Sequence, residues 1–159
     1  MIKLTTILSQ QDVEYLKDLY NSEPKQFHEQ DVNLFLVYKT MLTKVQSNTW
    51  NTIQSKLARF HGSPTPVTNY FLEYKAGAYS RTHQDNPVTV DGTAVTLVDR
   101  SDDLIGGDVV VGKDNQKTIP MQVGQTVYYT TAVDHGVTKV VQGSRIVLIT
   151  WFRKDTWQK

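Results

Sequence analysis

His83-Gln84-Asp85 places an imidazole and a carboxylate two residues apart, and the period-2 alternation of a strand would turn both side chains to one face. A third donor must come from elsewhere in the chain. His135, in Val133-Asp134-His135-Gly136-Val137, sits just before a strongly β-patterned segment and completes a set of two histidines and one carboxylate. Three protein ligands on one face of an octahedron leave three open positions, the number iron(II) needs to hold a chelating co-substrate and oxygen together.

Arg145 follows His135 by ten residues, at the start of the apolar run 146–152. A lone arginine is costly to bury there unless a buried anion answers it. Its planar fork matches a carboxylate through two parallel hydrogen bonds, so Arg145 is the anchor expected for the distal carboxylate of 2-oxoglutarate. If Arg145 and His135 face inward across a hairpin, the turn needs an odd loop, 142–144, with Gly143 left-handed.

Composition narrows the alternatives. The 159 residues carry no cysteine, which excludes disulfides, thiolate metal sites and cysteine nucleophiles. A net charge of +1 provides no basic field for a nucleic-acid backbone. Residues 1–8 lack a signal-peptide core and no apolar run reaches membrane-spanning length, so a cytoplasmic protein that avoids membranes is expected. One domain over 1–159 is expected, with helical support over about 1–61 and a β core over about 67–153.

The elements that must position these residues follow from periodicity. Ser9 and Asp12 form a capping-box start, with Val13, Leu16, Leu19 and Tyr20 at helical spacing, predicting a helix over 10–20. Leu34, Val37, Tyr38, Met41, Leu42 and Val45 keep the same spacing. Trp50, Ile53, Leu57 and Phe60 resume it after Ser47 and Asn48, which break or cap between the two runs. Beyond the breaker cluster 62–66, strands are expected at 69–75, 79–84, 93–99, 107–112, 117–121, 125–130, 136–141 and 145–152. The result is an α+β domain: a jelly roll with N-terminal helices packed on one face.

Residues 74–87, YKAGAYSRTHQDNP, and 135–152, HGVTKVVQGSRIVLITWF, resemble the prolyl-4-hydroxylase-like (PKHD-type) 2-oxoglutarate oxygenases, as do Gly106-Gly107-Asp108 and Val123-Gly124 leading to Tyr128 and Tyr129. The resemblance covers about 70–152. It implies a double-stranded β-helix (cupin-like) fold and Fe(II) held by His83, Asp85 and His135. It further implies 2-oxoglutarate bound by Arg145 with Tyr74 lining its pocket, and ascorbate as an optional reductant. The reaction implied is a hydroxylation by O2, peptidyl proline first, with release of succinate and CO2. A tyrosine that many members carry before the double glycine is replaced by Thr96, Leu97 and Val98, so one co-substrate hydrogen bond is expected either to be missing or to come from Thr96. Residues 86–93, NPVTVDGT, are the expected mobile flap over the substrate.

Each residue also has a plainer reading. His28 and His61 read as surface histidines, Arg145 as a strand-edge charge paired with Asp108 or Asp134, and Tyr74, Tyr79, Tyr128 and Tyr129 as sheet packing. Three other functions compete: the same chemistry on a free amino acid, small metabolite or nucleobase; a non-catalytic cupin-like binding module; and a zinc hydrolase. A peptide or protein substrate and a small molecule both remain open as partners.

Overall fold

In the computed structural model, residues 2–60, 62 and 65–153 are described. Strand β1 (Ile2–Thr5) leads into helix α1 (Gln10–Ser22), followed by β2 (Gln26–Asp31), β3 (Leu34–Met41) and α2 (Asn48–Phe60). The second half runs β4 (Thr65–His83), β5 (Gly92–Arg100), β6 (Val109–Val111), β7 (Lys117–Ile119), β8 (Thr126–Thr130), β9 (His135–Val137) and β10 (Ser144–Arg153). The strands form one curled antiparallel sheet in the order β1-β8-β5-β10-β4-β9-β6-β7, and the β2–β3 hairpin joins it through β3 on β4. This is the double-stranded β-helix half-barrel, with two helices against its outer face.

Alternation along the central strands creates two cores. Phe71 of β4 and Leu148 of β10 face outward and pack with Leu16, Ile53 and Leu57 of the helices. Leu72 and Tyr74 of β4 and Val147 of β10 face the concave interior with Val95 and Val127. Each large apolar side chain so buried contributes about 2 kcal/mol.

The capping box forms as its spacing predicts. The Asp12 amide donates to Ser9 Oγ (3.1 Å) and the Ser9 amide to Asp12 Oδ2 (2.8 Å). Ser47 accepts from the Trp50 amide at the start of α2, and its hydroxyl meets Tyr15 Oη at 2.7 Å, tying the helices together. Lys56 Nζ lies 2.5 Å from Asp12 Oδ2. Burial would raise the Asp12 carboxyl, but the Lys56 and Ser9 hydrogen bonds outweigh it and hold the group below 3.8. Its folded pKa is depressed, so its stabilisation is present above pH 3.8 and is lost as pH falls through the folded value. Asp12→Ala is therefore expected to cost about 2 kcal/mol in urea unfolding at pH 7 and progressively less below pH 4.

Residues 34–45 are not helical, contrary to their spacing. Leu34–Met41 form β3, which pairs with β2 and β4, while 42–45 are irregular, and the register shifts between Phe35 and Val37 where Leu36 takes φ 56°. That bulge resets the inward and outward phase of the strand, and two half-runs out of phase resemble a helical period. The two strands expected at 69–75 and 79–84 are one, because Gly77 (φ 94°) carries the chain through a bend without ending the ladder. β1, paired with β8, carries no pattern that separates it from a short apolar stretch.

Candidate active site

β4 is the strand on which the site is built. Its first half pairs with β10, setting Arg145 opposite Tyr74, and its second half pairs with β9, setting His135 opposite His83. β9 and β10 do not pair with each other, so the expected hairpin between them is absent. The intervening chain detours to contact Ile105, and Gly143 is left-handed (φ 80°) in that detour. Both strands lie along β4, which is what brings their side chains into one cavity.

The cavity, about 340 Å³, is lined by His83, Asp85, His135, Tyr74 and Arg145 together. Candidate ligand atoms of the first three lie within 4.8 Å of one another. Asp85 Oδ1 is 3.5 Å from His135 Nε2 and 3.7 Å from His83 Nε2. His83 Nδ1 donates to the Arg81 carbonyl (2.7 Å) and His135 Nδ1 to the Val133 carbonyl (2.9 Å). A carbonyl can only accept, so each ring keeps its proton on Nδ1 and turns the Nε2 lone pair toward the shared point. Gln84, between His83 and Asp85 in the chain, donates to the Ala132 carbonyl and to Asp134 Oδ2, both at 3.2 Å, and so ties the two ligand segments together.

Thr93 Oγ1 donates to Asp85 Oδ2 at 2.5 Å. Burial would raise the Asp85 carboxyl, yet contacts from His135, His83 and Thr93 hold it far below its usual 3.8. Burial would likewise lower the His83 imidazolium, but Asp85 and the Arg81 carbonyl raise it above 6.5. Thr93→Val frees that carboxylate oxygen and is expected to weaken iron(II) affinity about tenfold in anaerobic titration, with the fold unchanged by circular dichroism.

Arg145 is 4% exposed, and its Nε and Nη2 have no hydrogen-bond partner among the described residues. Nη1 donates to the Gly107 carbonyl, and a Cβ on Gly107 would meet Arg145 Cδ at 3.0 Å, so only glycine leaves this space. Among the described residues no carboxylate lies within ion-pair distance of Arg145, so the surface-pair reading with Asp108 or Asp134 does not hold. Burial lowers its pKa. Two buried donors without hydrogen-bond partners among the described residues, on a cation that lines the same cavity as three convergent metal-type donors, fit a carboxylate co-substrate. Two imidazoles and a carboxylate, without thiolate, fit iron(II).

A profile of the 2OG-Fe(II) oxygenase superfamily matches residues 69–153, more than half of the chain. The chain belongs to that superfamily. No curated protein sequence matches it. Among solved structures the oxygenase resembles a Pseudomonas putida prolyl-4-hydroxylase (TM-score 0.79, 15% identity, 96% of this chain and 92% of that one). It also resembles a 2OG-Fe(II) oxygenase family oxidoreductase from Burkholderia pseudomallei (0.77, 16%, 95% and 84%). A third likeness is HygX from Streptomyces hygroscopicus with nickel, 2-oxoglutarate and hygromycin B bound (0.78, 9%, 98% and 83%). At these identities the likeness establishes the fold.

Several expectations change on the structure. Thr96 points to the helix-side core and meets Thr126 Oγ1 at 2.8 Å, so it is not a pocket donor. The further phenols on the cavity wall are Tyr70 and Tyr129, and Tyr129 packs against His135 with ring centres 4.2 Å apart. Tyr70 shares a face with Tyr74 by simple alternation, a signal present in the sequence; Tyr129 had only its place in β8. The 86–93 segment, expected as a mobile flap, is exposed over 86–89 and anchored to the fold at its far end. The Thr89 and Val90 amides donate to the Asn86 carbonyl, the Asp91 amide donates to the Phe152 carbonyl, and Val90 is buried. His28 sits half-buried on β2 away from the three candidate ligands, and His61 lies outside the described residues. Among the described residues no helix is long and apolar enough to cross a membrane.

Proposed function

We propose that this oxygenase hydroxylates a peptidyl prolyl residue, acting as one domain over 1–159, with His83, Asp85 and His135 holding Fe(II), Arg145 holding the distal carboxylate of 2-oxoglutarate and Tyr74 lining its pocket. When bound, iron and 2-oxoglutarate supply the oxidising power that places one oxygen atom of O2 on the substrate, with release of succinate and CO2. The chain's own contribution is geometric. The carbonyls of Arg81 and Val133 aim the imidazoles, Thr93 fixes the carboxylate, and the Gly107 carbonyl aims the guanidinium. The observation carrying the co-substrate assignment is the pair of unpartnered Arg145 donors in the cavity of the triad.

The prolyl target is supported by likeness to the P. putida enzyme and to a Trichoplax adhaerens prolyl hydroxylase in complex with a peptide fragment (TM-score 0.73, 12% identity). The likeness to HygX with hygromycin B bound favours a second reading in which a small molecule is hydroxylated. Anaerobic iron(II) followed by 2-oxoglutarate is expected to give a visible metal-to-ligand charge-transfer band. In air, proline peptides are then expected to gain one oxygen atom in step with succinate. No band from folded, iron-loaded protein would sink the co-substrate assignment; a band without peptide oxidation would move the target to small molecules.

A further inference from the structure

The cavity wall carries two basic side chains, Arg145 and Lys39, and the co-substrate assignment uses only the first. Lys39 lies on β3 opposite Leu72 of β4, which in turn faces Val147 of β10. Alternation therefore turns it to the concave face that bears Tyr70, Leu72 and Tyr74. The two cations cover different tyrosines: Lys39 Nζ is 4.5 Å from the Tyr70 ring centre and Arg145 Cζ is 5.9 Å from that of Tyr74. Four residues of strand, about 13 Å, separate those tyrosines, so the cations serve opposite ends of the wall.

A lysine near an aspartate on a hairpin is ordinarily a stabilising surface pair. Three observations point past that reading. The Lys39 ammonium stands 3.7 Å from Asp31 Oδ2, beyond hydrogen-bond range, and it makes no hydrogen bond among the described residues. The same oxygen also faces His28 Nδ1 at 3.7 Å, so Asp31 is shared. The lysine side chain is 22% exposed, on the wall of the cavity that holds the candidate iron ligands, and Asp31, Asn33 and Leu34 line that cavity too. The result is a cation that is pre-aimed, lightly paired and directed into the site.

We propose that Lys39 binds a carboxylate of the substrate and thereby sets which part of the substrate lies over the iron ligands. This rests on the oxygenase reading above but not on the target being proline. A peptide supplies such a carboxylate from an acidic side chain or chain end beside the target residue; a free amino acid supplies it from its own α-carboxylate.

The test uses the protein loaded with nickel(II) and 2-oxoglutarate, which binds without turnover, titrated calorimetrically with matched pairs. These are N-acetyl-proline against its amide, free leucine against leucinamide, and a Pro-Glu peptide against Pro-Gln. At least one carboxylate member is expected to bind about tenfold or more tighter than its amide, the ratio of one charge-assisted hydrogen bond. Lys39→Met is expected to bring that pair within about twofold, and Lys39→Arg to keep the preference. Asp31→Asn is expected to strengthen it by removing the competing carboxylate. Which pair responds identifies the source of the carboxylate. Equal binding of every pair, no binding of any, or a preference that survives Lys39→Met would overturn the proposal. Failure of the charge-transfer band in the wild type would instead overturn the oxygenase reading, and preference confined to the leucine pair would overturn only the prolyl target.

Discussion

Replacing Arg145 with methionine is expected to raise the KM for 2-oxoglutarate by about two orders of magnitude while making the metal-free protein slightly more stable. The loss follows from removing a buried, two-donor grip on a carboxylate, which costs about 3 kcal/mol, and each 1.4 kcal/mol is tenfold. The gain follows from Nε and Nη2, which are buried without hydrogen-bond partners among the described residues. An unanswered buried cation is a standing cost of several kcal/mol, partly offset in the variant by the Gly107 carbonyl losing its donor. The expected balance is about 1 kcal/mol of added stability in urea unfolding without co-substrate. A KM within threefold of the wild type, or a clearly destabilised metal-free variant, would remove Arg145 from the co-substrate site.

Asp85→Ala is expected to lower turnover by about a thousandfold or more, since removing even a supporting contact to a metal ligand commonly costs 10- to 100-fold. The same substitution removes the charge that raises the His83 imidazolium, so His83 is expected to titrate lower in the variant by NMR. In the wild type that raised pKa sets a pH dependence with two opposite signs. Iron needs the neutral ring, so iron(II) affinity is expected to fall as pH drops below the folded pKa of His83, which lies above 6.5. The metal-free fold behaves in reverse: the His83 contribution to stability is fully present below 6.5 and is lost as pH rises through the folded value. Parallel iron titrations and urea melts at pH 6 and pH 8 check both signs.

The iron-type triad was legible from residue type and spacing, although β4 ends at His83 and Asp85 follows in irregular chain rather than by strand alternation. His83 and Asp85 declare themselves within three residues, and Arg145 is conspicuous as a charge opening an apolar strand. What the sequence hid were facts settled by partners distant along the chain. The bulge at Leu36 made a strand read as a helix, since apolar spacing does not record a change of phase. The geometry of Arg145 relative to His135 was expected from a hairpin, whereas both strands are registered on β4 instead. Thr96 looked available in sequence, but alternation on β5 gives the cavity Thr93 and Val95 and sends Thr96 to the opposite face. Lys39 carried no signal at all, because its membership in the cavity depends on the row formed with Leu72 and Val147.

The length of β4 also dictates when the site can exist during synthesis. β4 runs over Thr65–His83, whereas its partners β9 and β10 span His135–Val137 and Ser144–Arg153. A nascent chain that has emerged only as far as the HxD segment has two of the three donors and only β3 to pair with β4, and it lacks both His135 and Arg145. Pairings of such sequence separation are slow, because a long loop must close before any contact offsets its entropy. All three donors can therefore converge only after β9 has emerged and found β4.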